Sequence, residues 1–86
     1  MQVQHEETIS PTHRIQVGLS SWGNGAEQSV RSAYYRDNNQ FNYAGSAEVG
    51  IPDLVAMVRL AIESGSLDQD NIDEIERAIE DSKITA

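Results

Sequence analysis

The chain has no cysteine, two prolines, five aromatic residues and only six basic side chains among its 86 residues, and each scarcity rules something out. Without cysteine there is no disulfide, no thiolate metal site and no thiol nucleophile, a composition that fits a reducing compartment. No run approaches the roughly 18 consecutive apolar residues of a membrane span. The N-terminus is polar, with Glu6 and Glu7 close behind it, and does not read as a signal peptide. The expectation is a cytoplasmic protein with no membrane partner.

Signatures of catalysis are equally scarce. His5 and His13 lie in a polar arm without metal-ligand spacing. Ser20 and Ser21 stand outside any GxSxG elbow. Asp68, Asp70 and Asp73 alternate as calcium ligands do, but the central glycine of a calcium loop and the glutamate at its twelfth position are both missing. We therefore expect no enzyme, no metal and no cofactor.

What the chain has is acid, unevenly placed. The net charge is -8. Residues 66–86 hold seven acids (Asp68, Asp70, Asp73, Glu74, Glu76, Glu80 and Asp81) against Arg77 and Lys83. Residues 11–46 carry Arg14, Arg31 and Arg36 against only Glu27 and Asp37. Phosphate contacts require Lys or Arg, so any nucleic-acid surface has to lie in that central stretch.

Taken in order, residues 1–7 read as a flexible arm, with a short strand around Thr8 and Ile9. From Arg14, the residues Ile15, Val17 and Leu19 alternate with polar or small ones, the period of a half-buried strand running towards Trp22. Gly23-Asn24-Gly25 signals a hairpin turn. The next strand runs from Gln28 to Arg36, with Val30, Ser32 and Tyr34 on one face and Arg31, Ala33 and Tyr35 on the other. Asp37-Asn38-Asn39 predicts a reversal. Phe41, Tyr43, Gly45, Ala47 and Val49 then share one parity of a further extended segment. Pro52 and Asp53 open a helix, along which Leu54, Val55, Val58, Ala61 and Ile62 form an apolar stripe. Met57 and Leu60 widen that stripe beyond what one sheet face needs, which points to a second copy of the chain. Gly65 is placed to end this helix. A second, acidic helix is predicted to start near Asp70 or Asn71, where Asn71 and Glu74 have capping-box spacing, with Ile72, Ile75 and Ile79 as its stripe.

Residues 28–49 concentrate the candidate chemistry, because four of the five aromatics and two of the basic residues fall there. Single-stranded nucleic acid is held by bases stacking on rings, at about 1–3 kcal/mol per base, while cations track the phosphates. Trp22, Tyr35, Arg14, Arg31 and Arg36 are the candidate binding residues on this pattern. Tyr34 and Phe41 share their parity with aliphatic residues and are expected in the core.

The ordered set HRIQVGLSSWGNG followed by SVRSAYYRDNNQFNYAGSAEVGIPDLVAMVRLAI resembles the positive cofactor four family of single-strand-binding transcriptional coactivators. The resemblance covers about residues 8–65. It implies a four-stranded antiparallel sheet followed by a helix, homodimers joined largely through helices, and DNA crossing the sheets. It places Trp22 at the strand-end aromatic and Tyr34 and Tyr35 at the paired aromatics, with Trp22 and Tyr35 stacking on unpaired bases. The chain departs from the family at Ser32, where a basic residue is expected beside Arg31, and at Gly45-Ser46-Ala47-Glu48, a segment that is normally basic.

The expected architecture is therefore α+β: an arm over 1–7, a sheet-plus-helix domain over 8–65 and an acidic helix over 66–86, assembled as a homodimer. The expected function is non-catalytic binding of single-stranded or unwound DNA, or RNA, in transcription, replication or repair. Two other functions are compatible with the same features: an interaction module that engages a protein through the acidic helix, and an acidic inhibitor that imitates phosphates.

Overall fold

The structure is a computed structural model and describes residues 1–22 and 27–85. The chain is α+β: β1 (Gln2–Ser10), β2 (His13–Leu19), β3 (Gln28–Tyr34), β4 (Ala47–Gly50), α1 (Ile51–Glu63) and α2 (Gln69–Thr85) follow one another in that order. It divides into two compact units, residues 1–54 and residues 55–86.

In the first unit the four strands form one antiparallel sheet in the order β1-β2-β3-β4. β2 and β3 pair without a break from Leu19 opposite Gln28 to His13 opposite Tyr34. The hairpin turn expected at Gly23-Asn24-Gly25 lies outside the described residues. Ser20 N–H donates to the Glu27 carbonyl at 2.8 Å on the far side of it. The turn expected at 37–39 is present. Asn39 takes a left-handed φ of 66°, and Arg36 and Gln40 are joined by a 2.7 Å backbone bond.

Two expectations are corrected. The arm over residues 1–7 is instead most of β1, paired to β2 from Gln2 opposite Leu19 onwards. Nearly every residue of β1 is exposed, so it carries no hydrophobic alternation to read, and the backbone ladder with β2 holds it. The extended segment expected from Phe41 onwards is a strand only over Ala47–Gly50. Asn42 breaks it. Its side-chain carbonyl accepts from Gly45 N–H at 3.2 Å, and its backbone carbonyl accepts from the Ser46 hydroxyl at 2.7 Å, so residues 42–46 fold into a turn.

The glycine at 18 is required by close approach. A Cβ there would collide with the Gln2 carbonyl and lie 2.9 Å from Val3 Cα, where β1 shifts register between Val3 and His5.

The deepest part of the sheet is its polar face. Ile15, Val17, Leu19, Val30 and Val49 share the other face and are only half-buried. Gln16, Gly18, Ser29 and Ala33 are buried, and Ala33 is the one buried apolar side chain among the described residues.

In the second unit, α1 ends in a Schellman motif. Ser66 N–H bonds to the Ala61 carbonyl and Gly65 N–H to the Ile62 carbonyl, with Gly65 at φ 72°. α2 starts at Gln69, earlier than the spacing of Asn71 and Glu74 implied. Asp68 is its N-cap, accepting from Asn71 N–H at 2.9 Å, while the Asn71 side chain accepts in return from Asp68 N–H at 3.3 Å. Asn71 is thus the third helical residue of the box rather than its cap. None of the α1 residues is buried.

Candidate nucleic-acid interface

The polar face of the sheet is organised by Gln16, in the middle of β2. Residues directly opposite in an antiparallel ladder point to the same side, and Gln16 stands opposite Arg31 on β3 and Glu6 on β1. Its carbonyl oxygen accepts from Arg31 Nε at 2.8 Å and from Arg31 Nη2 at 2.6 Å. Its amide nitrogen donates to Glu6 Oε2 at 2.6 Å and to the Tyr35 hydroxyl at 3.0 Å. At 1% exposure, both ends of this amide are satisfied by protein, as burial demands.

Gln16 therefore fixes an arginine and a tyrosine, and around these the rings assemble. The Arg14 guanidinium lies 4.1 Å from the Tyr35 ring centroid and donates to Asn39 Oδ1 at 3.2 Å. Arg31 lies 4.4 Å from the Phe41 centroid. Phe41 is edge-on to Tyr35 at 5.6 Å and to Tyr43 at 4.6 Å, and an isolated bridge between Tyr35 and Phe41 holds the loop against the end of β3. Each guanidinium over a ring is worth roughly 0.5–2 kcal/mol. Tyr43, 84% exposed, is the open end of this series.

A cleft of about 420 Å³ opens beside these rings, lined by Tyr35, Phe41, Tyr43, Arg31, Glu48, Ser21, Ser46 and Met1. Glu48 is held in it by Ser21, through N–H at 3.0 Å and hydroxyl at 3.2 Å, and by the Ser29 hydroxyl at 3.2 Å. Burial alone would push the Glu48 carboxyl up. The Ser21 and Ser29 donors, together with the positive charge of the N-terminus, outweigh it and hold the group below the usual glutamate range.

Four of the five sequence-predicted residues fall in one region. Arg14, Arg31 and Tyr35 belong to the cluster, and Arg36 is exposed on the turn that carries Asn39. Trp22 lines an adjoining cleft. It follows the Leu19 end of β2, whereas Tyr35 follows the Tyr34 end of β3, but the Trp22 ring reaches Gly50 on β4, two residues from Glu48, which lines both clefts. Trp22 is 38% exposed, donates from Nε1 to Glu27 Oε2 at 3.0 Å, and lines a cleft with Glu27, Glu48 and Asp53.

The core positions expected for Tyr34 and Phe41 are corrected as well. Tyr34 is 40% exposed and stacks flat on His13, with centroids 4.2 Å apart and planes 4° from parallel. Phe41 is half-buried on the opposite face, brought there by the bridge to Tyr35.

Sequence reasoning missed Gln16, expected Phe41 in the core and gave Tyr43 only a parity in an extended segment. A glutamine in the centre of an alternating strand, with Arg31 on the next strand to meet it, was the available signal. Among the described residues no group of three or more His, Cys, Asp or Glu side chains is arranged to hold a metal ion. No helix among the described residues is long and apolar enough to cross a membrane. No family model, curated protein or solved structure matches the chain.

Proposed function

We propose that this protein binds single-stranded nucleic acid without catalysis, gripping it on the polar face of the sheet through Tyr35, Phe41 and Tyr43, with Arg14, Arg31 and Arg36 as phosphate partners. The supporting observation is the alternation of guanidinium and ring: Arg14 on Tyr35, Arg31 on Phe41, and Tyr43 left open. Bases stack on such rings whatever their sequence, and three arginines suffice for only a few phosphates, so binding is modest and salt-sensitive. The resemblance to the positive cofactor four family points the same way. In this version of the grip, Phe41 and Tyr43 supply the stacking surface in place of Trp22, whose indole N–H is engaged by Glu27.

The working form is a homodimer joined through α1. One buried apolar side chain among the described residues is a small core for a folded chain, and Val55, Met57, Leu60 and Ile62 of α1 are all exposed. A dimer presents two binding faces to one strand, which raises the effective concentration at the second.

Fluorescence anisotropy of a labelled thymine twenty-mer tests the grip. Saturable binding at low salt that weakens about tenfold in Tyr43→Ala supports it, since Tyr43 touches little else and stacking contributes about 1–3 kcal/mol per base. A Tyr43→Ala protein that binds as the parent does would contradict it.

A further inference from the structure

The cleft beside the rings has a feature that stacking does not need. Arg31 and Glu48 are direct cross-strand partners on one face, the position in which opposite charges ordinarily pair. They do not pair. Ion pairs form instead within the helices, as Arg59–Glu63 and Lys83–Glu80 do. Arg31 is drawn away by Gln16 and Phe41, and Glu48 is held by Ser21 and Ser29. A cation and an anion are thus anchored separately, side by side, at the floor of an aromatic-lined cleft. Its 420 Å³ falls within the roughly 300–1,000 Å³ of small-ligand sites.

We propose that this cleft is a base-specific subsite that takes guanine, with Arg31 and Glu48 reading its pairing edge. That edge presents, in sequence, an acceptor (O6) and two donors (N1–H and the N2 amine). Arg31 keeps donors at Nη1 beyond the two nitrogens that Gln16 engages, and these match O6. Among the described residues Glu48 Oε1 accepts a single 3.2 Å contact, from the Ser21 hydroxyl, so it has capacity for N1–H and the N2 amine. A carboxylate accepts from the exocyclic amine of cytosine or adenine once at most. Against thymine it faces two carbonyl oxygens and a single N–H, so the order of preference is guanine first and thymine last. Tyr43, edge-on to Phe41, supplies a ring face for the seated base. This selectivity rests on the single-strand grip proposed above and adds a preference that stacking alone does not produce.

The test uses the wild-type chain and thymine twenty-mers that carry one central guanine, inosine, cytosine or adenine, compared by competition against the labelled all-thymine strand. A guanine is expected to tighten binding about tenfold over thymine, within the range a good bidentate contact provides. Inosine, which lacks the N2 amine, should lose much of that gain. Glu48→Gln should abolish the guanine preference, read as the ratio of guanine-strand to all-thymine-strand affinity within the variant. If the all-thymine strand binds and guanine adds nothing, or inosine equals guanine, the subsite is refuted and the grip survives. If no strand binds at low salt, both fall. The comparison among strands on the wild-type protein stands even if Glu48→Gln fails to fold.

Discussion

Gln16→Leu is the substitution that most sharply separates a fold held by its polar face from one held by the aliphatic face. Leucine has nearly the volume of glutamine but can neither accept from Arg31 nor donate to Glu6 and Tyr35. A hydrogen bond to a charged group contributes about 1.5–3 kcal/mol, and the lower end applies here because water reaches the exposed Glu6 and half-buried Arg31 once they are released. Losing both charged contacts and the weaker one to Tyr35, less about 1 kcal/mol recovered from leucine's apolar burial, leaves a net destabilisation of about 2–3 kcal/mol. For a domain of this size that lowers the melting temperature by roughly 10–20 °C. Urea unfolding followed by Trp22 fluorescence measures it directly. The exchange pair Glu6→Gln with Gln16→Glu should restore most of the stability, because an acceptor still faces Arg31 and a donor–acceptor contact is rebuilt in the opposite sense, whereas Gln16→Glu alone sets two carboxylates together. A Gln16→Leu protein within about 0.5 kcal/mol of the parent would refute the reasoning, since surface changes without structural consequence fall in that range.

Three further outcomes follow from the geometry. Gly18→Ala should destabilise by about 1–3 kcal/mol, because the new methyl meets β1 backbone and not a movable side chain, and hydrogen exchange should quicken first along Gln2–Ser10; unchanged protection would contradict the close approach. The Glu48 carboxyl is held below its ordinary pKa, so its contribution to stability is complete above about pH 4.3 and is lost as the pH falls through its lower folded value; Glu48→Gln should flatten that part of the acid limb of urea midpoints, and an identical limb would remove the assignment. Leu60→Glu should bring the mass by light scattering from twice 9.5 kDa to 9.5 kDa while the far-ultraviolet spectrum keeps its strand and helix content; a parent already monomeric at high concentration would dismiss the α1 interface.

Much of the fold is legible along the chain because its signals are local. Ile15, Val17 and Leu19 mark β2 by alternation, the aliphatic stripe after Pro52 marks α1, and Asp37-Asn38-Asn39 marks a turn whose third residue does take the left-handed backbone. What escaped depends on residues far apart in sequence. Gln16 meets partners 10, 15 and 19 positions away, so its burial shows only when β2 is set beside β3 and not from the aliphatic parity of β2 by itself. β1 is exposed along nearly its whole length, and backbone pairing leaves no trace in composition. Asn42 ended the extended segment through two hydrogen bonds of its own, which carried Phe41 and Tyr43 off the strand and onto the polar face. That Trp22 and Tyr35 start from opposite ends of the ladder was within reach of sequence reasoning, because residues that end consecutive antiparallel strands do so.

The central claim is that a single strand lies on the ring-and-guanidinium face, and amide chemical-shift mapping tests it most directly. A thymine twenty-mer carrying one guanine, titrated into isotope-labelled protein at low salt, should move the resonances of Arg14, Arg31, Tyr35, Phe41, Tyr43, Ser46 and Glu48 together. Residues of α2 and the His13–Tyr34 stack should stay still. Shifts confined to α2 or to the aliphatic face, or a spectrum unchanged at saturating strand, would contradict it.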